Sequence, residues 1–502
     1  MKKLFTFSIL VCSFSICCMA QLKIDNATFF IGSGATVTVQ GDVTSNVDIE
    51  GTGLLQLKGS SLQNVDMGGN TIPNLELDNT SNATLLNTNT RIGTSLTFTN
   101  GKFQTGNLNL LLSTSATITG GSSSRFVWTN GTGQLIKQLS ADVASFELPV
   151  GENSNYRPAY LTTSGSSYSS AQFGVRVLGA ADANKPPMIA SYLNTNWPVT
   201  RSGITGGTVS LLGQYIDPTD ITGTEANLVG YYNSGTDWSS SGESHNATTN
   251  RVGAPVTAAS GVISGMNKFL AVGSRAILQG AYVAGTGLMS DNLRTLTFGS
   301  SASTANFPST DPYRVSPYSS SFTHTNNTAV ETISSAAILD QAGTNDDIVD
   351  WVFLELRNLD ASPGNDILHT RAALIQRDGD IVDVDGVSPV TFNAIADGNY
   401  ILAVRHRNHL GLSIDQSSPR ALNETKSTAF TTNVVDLRIA TDPQLYGTSA
   451  AYTTAFHPTL TTVNVLWGGN VNTNIESKYQ GPGNDRSAML TDLGGNELLT
   501  LT

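Results

Sequence analysis

Five short alternating runs, ATVTVQG, LLQLKG, NLELDN, SLTFTNG and ATITG, bring an apolar residue back at Val37, Leu55, Leu75, Leu96 and Ile118. The steps between these residues are 18, 20, 21 and 22. A unit of that length cannot bury its own apolar face, so a period near twenty predicts coils that stack and share one apolar column. Minor runs fall between the main ones, at NVDMGG (64–69), ATLLN (83–87) and NLNLLL (107–112). Two strands per coil are therefore expected over residues 21–135, in a β-solenoid resembling a parallel β-helix. A plain β-sandwich is the rival reading, because a strand spacing of about ten residues suits it as well.

The remainder of the chain also reads as strands. Forty-eight glycines and only 13% charged residues, with few helix signals, describe short strands joined by tight turns. At 502 residues the chain is too long for one core and suggests about three domains. SFELPVGENSNYRPAYL opens a second block, with Pro149 and Pro158 placing its strands at an edge or end. Runs at 173–179, 208–216, 227–232 and 268–273 extend it, so a β-sandwich is expected over 136–274. A third block, 275–440, holds AVETISSAAILD, DDIVDWVFLELRNL, HTRAALIQRD, DIVDVDG, VTFNAI and GNYILAVRHRN. That strand count fits an immunoglobulin-like or prealbumin-like sandwich. Residues 441–502 form a C-terminal region. The fold class is all-β, a solenoid followed by two sandwiches.

Location is legible at the N-terminus. MKKLFTFSILVCSFSICCMAQ has two lysines before an apolar run that ends in Cys-Met-Ala, the pattern of a signal peptide cleaved after Ala20. A lipoprotein would need a small residue before its cysteine, whereas Cys12 follows Val11, Cys17 follows Ile16 and Cys18 follows Cys17. All three cysteines lie in this segment, so an exported mature chain would have no disulfide and would rely on its cores or on bound ions. Removing Lys2 and Lys3 takes the formal charge from −12 to −14. An acidic chain with scattered lysines is a poor partner for nucleic acid or anionic membrane. No later apolar run reaches the ~18 residues of a membrane span.

Three stretches carry candidate chemistry. ALIQRDGDIVDVDG (373–386) places Asp378, Asp380, Asp383 and Asp385 within eight residues. Against a calcium-loop template started at Asp378, the fifth position is Val382, and the template fails. A hairpin through Asp378-Gly379 and a second turn at Asp385-Gly386 fit better, with an irregular cation site as the alternative. Asp383 and Asp385 share one strand face. In AVRHRNHLG, His406 and His409 lie three apart and would meet only if the chain bends there. A polar strand end is the plainer reading, and Asp383, Asp385, His406 and His409 together make a candidate polar site.

The third stretch is WGGNVNTNIESKYQGPGNDR. Asn470, Asn472 and Asn474 occupy the first, third and fifth positions of a calcium-loop ladder, with Glu476 and Asp485 as further oxygen donors. Ile475 stands where the loop wants glycine, and the missing carboxylates remove most of the attraction for Ca2+. The loop is thus expected to bind calcium weakly if at all. Enzyme signatures of the G-x-S-x-G, H-E-x-x-H, Walker and G-x-G-x-x-G types are absent. Solenoids can still carry polysaccharide-cleaving acids, here among Asp42, Asp48, Glu50, Asp66, Glu76 and Asp78. Trp128, Trp197, Trp238 and Trp467 could stack on sugars, while Trp351 reads as core.

The runs LQGAYVAGTGLMSDNLRTL, DDIVDWVFLELRN, ALIQRDGDIVDVDGVSPVTF, ADGNYILAVRHRNHLG and WGGNVN with GPGNDR, over about 275–502, resemble a module of large secreted and cell-surface proteins of Bacteroidota. Some of these are labelled hemagglutinin-like, and many carry a C-terminal type IX secretion sorting domain. FELPVG with NYRP is similar to a segment that often precedes the module. In the family, the late loop often has aspartates where this chain has Asn470 and Asn474, and glycine in place of Ile475. The resemblance implies surface location, and it implies a further copy of the loop and a sorting domain after GNDR. Since the chain ends at LLTLT, the expectation is a fragment, or another route to the surface. The expected function is a noncatalytic adhesin-like or structural protein that binds glycan or surface protein. A secreted carbohydrate-active enzyme, a lyase or glycosidase, is the alternative.

Overall fold

Parallel pairing joins Val37 to Leu55, Leu55 to Leu75, Leu75 to Leu96 and Leu96 to Ile118. The four steps read from the sequence are thus the steps from coil to coil. The computed structural model describes residues 21–468, apart from 236, 241–243, 284, 292–306, 317, 340–342, 360–366, 415–417, 425–433, 440–442 and 446–451. Its N-terminal β-solenoid makes about six turns over residues 22–151. A second parallel ladder runs through Leu22–Ile24, Val43–Ser45, Gln63–Asp66, Ala83–Leu85, Phe103–Gln104, Val127–Trp128 and Val150–Glu152.

Each middle coil has a third strand segment where two were expected. Ile72 pairs with Ile92, Thr90 with Leu110, and Leu110 with Leu135. Thr71–Asp78 and Thr90–Asn100 each run through a corner, so two segments read as one strand. At the corner Gly93 and Thr94 oppose the single Pro73, and the register shifts there. Proline has no N–H to give a ladder, and such a bulge lets the strand bend.

Like residues stack inside the coils. Ala83, Phe103, Val127 and Val150 fill one column, Val43 and Val65 a second, and Leu55, Leu75 and Leu96 a third, all fully buried. Each Val, Leu or Phe among them contributes about 1.5–3 kcal/mol of burial. Two buried polar side chains show how neighbouring coils are tied together. Gln63 donates to the carbonyls of Val39 and Gly41 while its Oε1 accepts from Gly59 N–H and from Asn79 Nδ2. Lys137 Nζ donates to the carbonyls of Ser113, Thr114 and Ala116 at 2.7, 2.9 and 2.7 Å, and burial pulls its pKa down to about 8.

The chain forms two units, Met1–Gly179 with Trp197–Ile216 and Val256–Ser260, and Ala180–Asn196 with Asp217–Pro255 and Gly261–Thr502. The block 136–274 is divided between them. In the first unit Leu135–Leu139 ends the parallel stack, since it pairs antiparallel with Ser167–Val175, which pairs with Trp197–Thr205. Phe146–Leu148, Ala159–Ser164 and Thr208–Gln214 form another antiparallel sheet, and Pro149 and Pro158 sit just outside its strands.

The second unit is built on an antiparallel sheet whose centre is Ile348–Arg357, paired with Ile367–Gln376 on one edge and Gly398–His406 on the other. All ten residues of Ile348–Arg357 are buried. Alternation sends Val352, Leu354 and Leu356 into one core and Trp351 and Phe353 into another. A strand covered on both faces needs this near-continuous apolar run. Any charged residue on its neighbours must then find a partner inside the protein.

Candidate functional site

Residues 373–386 fold as a hairpin and a second turn. Ile375 pairs with Ile381 and Leu374 with Val382, and Gly379 N–H donates to Gln376 O at 2.9 Å. The loop has three residues, Arg377, Asp378 and Gly379, in place of the expected two. Gly379, at φ +94°, takes the left-handed position such a loop needs. Asp380 pairs with Arg275, and Asp385 Oδ1 accepts from Val387 and Ser388 N–H at 3.1 and 2.8 Å. The four acids do not converge.

Asp383 does not meet the histidines. It is fully buried against Arg371, whose Nη2 lies 2.6 Å from Asp383 Oδ1 and whose Nε lies 3.1 Å from Glu331 Oε1. Arg371 also donates to Thr391 O, and Thr391 N–H returns a bond to Asp383 Oδ2 at 3.2 Å. Burial pushes the Asp383 carboxyl up, and the Arg371 charge and backbone N–H groups oppose that shift.

His406 and His409 do come together, because Arg407 and Asn408 form a tight loop that makes them cross-strand neighbours. Their Nδ1 atoms are 2.8 Å apart. Asn408 N–H donates to His406 Nδ1 at 3.1 Å and Gly280 N–H to His409 Nε2 at 3.1 Å. These bonds set the tautomers: His409 donates from Nδ1 to His406, and His406 donates from Nε2 to Asp350 Oδ2 at 3.0 Å. Arg407 Nη2 bonds both oxygens of Asp350 at 2.7 and 2.9 Å. Burial would raise the Asp350 carboxyl, but His406 and Arg407 hold it below its ordinary value. Burial above all pushes His409 down to about 3. Asp350 lies 56 residues from His406, and its place opposite the pair could not be read from spacing.

A second grouping escaped the sequence reading. Asp311, His324 and Glu331 each offer one ligand atom, all within 4.8 Å of one another, and no other such group of three is found among the described residues. Asp311 precedes a short turn at Pro312–Arg314, where its Oδ1 accepts from Tyr313 N–H at 2.8 Å. His324 Nε2 is 2.9 Å from Asp311 Oδ2 and its ring stands edge-on to Phe353. Arg314 lies beside both acids, Nε 3.1 Å from Asp311 Oδ2 and Nη2 3.2 Å from Glu331 Oε2. Asp383, Arg371, Glu331, Arg314 and Asp311 thus form one chain of alternating charge. The Asp-Pro-Tyr-Arg cap was the only local signal, and it says nothing of a ligand set.

Asn470, Asn472, Asn474, Glu476 and Asp485 lie outside the described residues, as does the segment 1–20. Trp197, Trp238 and Trp351 are buried, which removes the first two from any sugar-stacking surface. No helix among the described residues is long and apolar enough to cross a membrane. No family model matches the chain, and no significant match is found among curated proteins or solved structures.

Proposed function

We propose that this is a noncatalytic, secreted or cell-surface protein of adhesin-like or structural type, in which the solenoid is a spacer and the later antiparallel sheets present the binding surface. In this reading those sheets are β-sandwich modules, the last immunoglobulin-like or prealbumin-like, and the ligand is an extracellular glycan or surface protein. The acidic balance of the chain, −12 formally, disfavours nucleic acid.

The observation that supports it most is what the solenoid acids do. Asp42 accepts from Asn64 N–H and Nδ2 at 2.8 and 3.0 Å, and Asp48 from Thr71 N–H at 2.7 Å. Asp66 accepts from Asn87 Nδ2 and Thr88 Oγ1, both at 2.8 Å, and Asp78 from Asn100 Nδ2 at 2.7 Å. Gln56 and Thr99, in the coils on either side, both donate to Glu76, at 3.1 and 2.6 Å. These carboxylates tie one coil to the next; against the effect of burial, the bonds from Asn87 and Thr88 hold Asp66 below its ordinary value, and those from Lys58 and Asn100 do the same for Asp78. A glycosidase needs instead two carboxyls facing one sugar across about 5–10 Å, one of them kept protonated.

The test joins binding to turnover. The protein is applied to a glycan array and, separately, to a polysaccharide panel with a reducing-end assay. Binding without product is expected. Product that disappears in Asp66→Ala or Glu76→Ala would overturn the reading in favour of a carbohydrate-active enzyme.

A further inference from the structure

Asp311 and Glu331 are held in the same way. Each uses one oxygen on the protein and turns the other toward a common point. Glu331 Oε1 takes Arg371 Nε, Ala372 N–H and Asn327 Nδ2, while Asp311 Oδ1 takes Tyr313 N–H. That leaves Glu331 Oε2, Asp311 Oδ2 and His324 Nε2 facing one another beside the Arg314 guanidinium. Asp311 Oδ2, His324 Nε2 and Arg314 Nε are all buried and none has an aligned hydrogen bond, although they lie within 2.9 and 3.1 Å of one another. A carboxylate that is 98% buried would ordinarily have its oxygens satisfied by donors. Here one oxygen meets charge without directed N–H groups, an arrangement better suited to a spherical cation than to a guanidinium.

We propose that Asp311, His324 and Glu331 are the ligands of a divalent transition-metal site, with Zn2+ the ion their donors favour and Arg314 the internal cation that it displaces. One imidazole nitrogen with two carboxylate oxygens suits zinc and disfavours Ca2+ or Mg2+, which take oxygen alone. With bonds of about 2.0–2.1 Å, the 2.9 Å between Asp311 Oδ2 and His324 Nε2 subtends about 90° at the metal, within the range of a site that also holds water. Displacing Arg314 costs its bonds to Glu331 Oε2 and to the carbonyls of Asn327 and Ala329, and its side chain, 19% exposed against 0% for both acids, is the group of the three nearest solvent.

Its departure also resets the histidine. Arg314 Nη2 lies 3.3 Å from His324 Nδ1, and Thr370 Oγ1 lies 3.2 Å from the same atom. Without the guanidinium, Nδ1–H donates to Thr370 Oγ1 and the Nε2 lone pair is free for the metal. That is the outer hydrogen bond by which zinc-binding histidines are held. Arg371 stays, keeping Glu331 Oε1 engaged and orienting Oε2.

The test is calorimetric titration of the full chain with Zn2+, with the melting temperature as a second readout. One Zn2+ per chain is expected, with Ca2+ at the same concentration giving no competition. His324→Gln and Asp311→Asn should weaken binding roughly tenfold or more, His409→Gln should leave it unchanged, and Arg314→Met should tighten it roughly tenfold. Absence of Zn2+ binding overturns the proposal, as does binding that persists in His324→Gln or moves with His409→Gln. If Asp311→Asn fails to fold, Arg314→Met decides, because a merely structural ion pair gives no gain in metal affinity when its arginine is removed.

Discussion

Replacing Arg371 with methionine keeps most of the side-chain volume and removes a charge that is 99% buried. Its guanidinium makes two charge-assisted bonds, to Asp383 at 2.6 Å and Glu331 at 3.1 Å, besides its bond to Thr391 O. At ~1.5–3 kcal/mol for each bond to a charged group, the two carboxylates alone account for about 3–6 kcal/mol. Buried pairs broken from one side cost about 3–5 kcal/mol, so a loss of about 4 kcal/mol is expected at neutral pH. The loss should also depend on pH. Burial already raises the Asp383 carboxyl while Arg371 opposes the shift, so the variant raises it further. An acid with a raised folded pKa carries no penalty below its unfolded value, ~3.9, and costs more as pH rises through the folded value. The deficit of Arg371→Met should therefore be largest at neutral pH and shrink toward pH ~4. Urea unfolding followed by tryptophan fluorescence, repeated across this range, measures it. A deficit under ~1 kcal/mol, or one that stays constant with pH, would refute the reasoning.

Two further outcomes are expected. Gly101, at φ +82°, would put a Cβ 1.9 Å from Asn79 O, whereas Gly106, at φ +56°, has nothing within 4 Å. Gly106→Ala should cost only the left-handed penalty of about 1–2 kcal/mol, and Gly101→Ala clearly more; equal melting temperatures would contradict the coil contact. His409 is pushed down to about 3 and His369 to about 4, in both cases mainly by burial. A histidine with a depressed folded pKa gives stability that is present above ~6.5 and lost as pH falls through the folded value. Stability should thus decline on acidification below ~6.5, and His409→Gln should reduce that slope by about one proton. An unchanged slope would show that His409 is already protonated in the folded chain.

The solenoid was legible because of how parallel coils stack. Each coil must present an apolar residue at the same place, so the recurrence of Val37, Leu55, Leu75, Leu96 and Ile118 is itself the pairing register. The third segment of each coil was hidden because its strand runs on through the Pro73 corner without a break in pattern. The turn at Gly379 was visible too, as local backbone chemistry, although its loop length was not.

What the sequence by itself determined is therefore whatever repeats or whatever is local: the coil period, the turns, the buried strand around Trp351. Tertiary structure decided where the charges went. Strand parity placed Asp383 beside Asp385 and left open whether it meets the histidines; it is held instead by Arg371 on the neighbouring strand, and His406 took Asp350 from 56 residues away. Asp311, His324 and Glu331 lie in a stretch with little regular periodicity and meet only where it folds against the central sheet. A charge in a covered sheet needs a partner, and which partner depends on which strands lie side by side. Spacing along one chain does not carry that information.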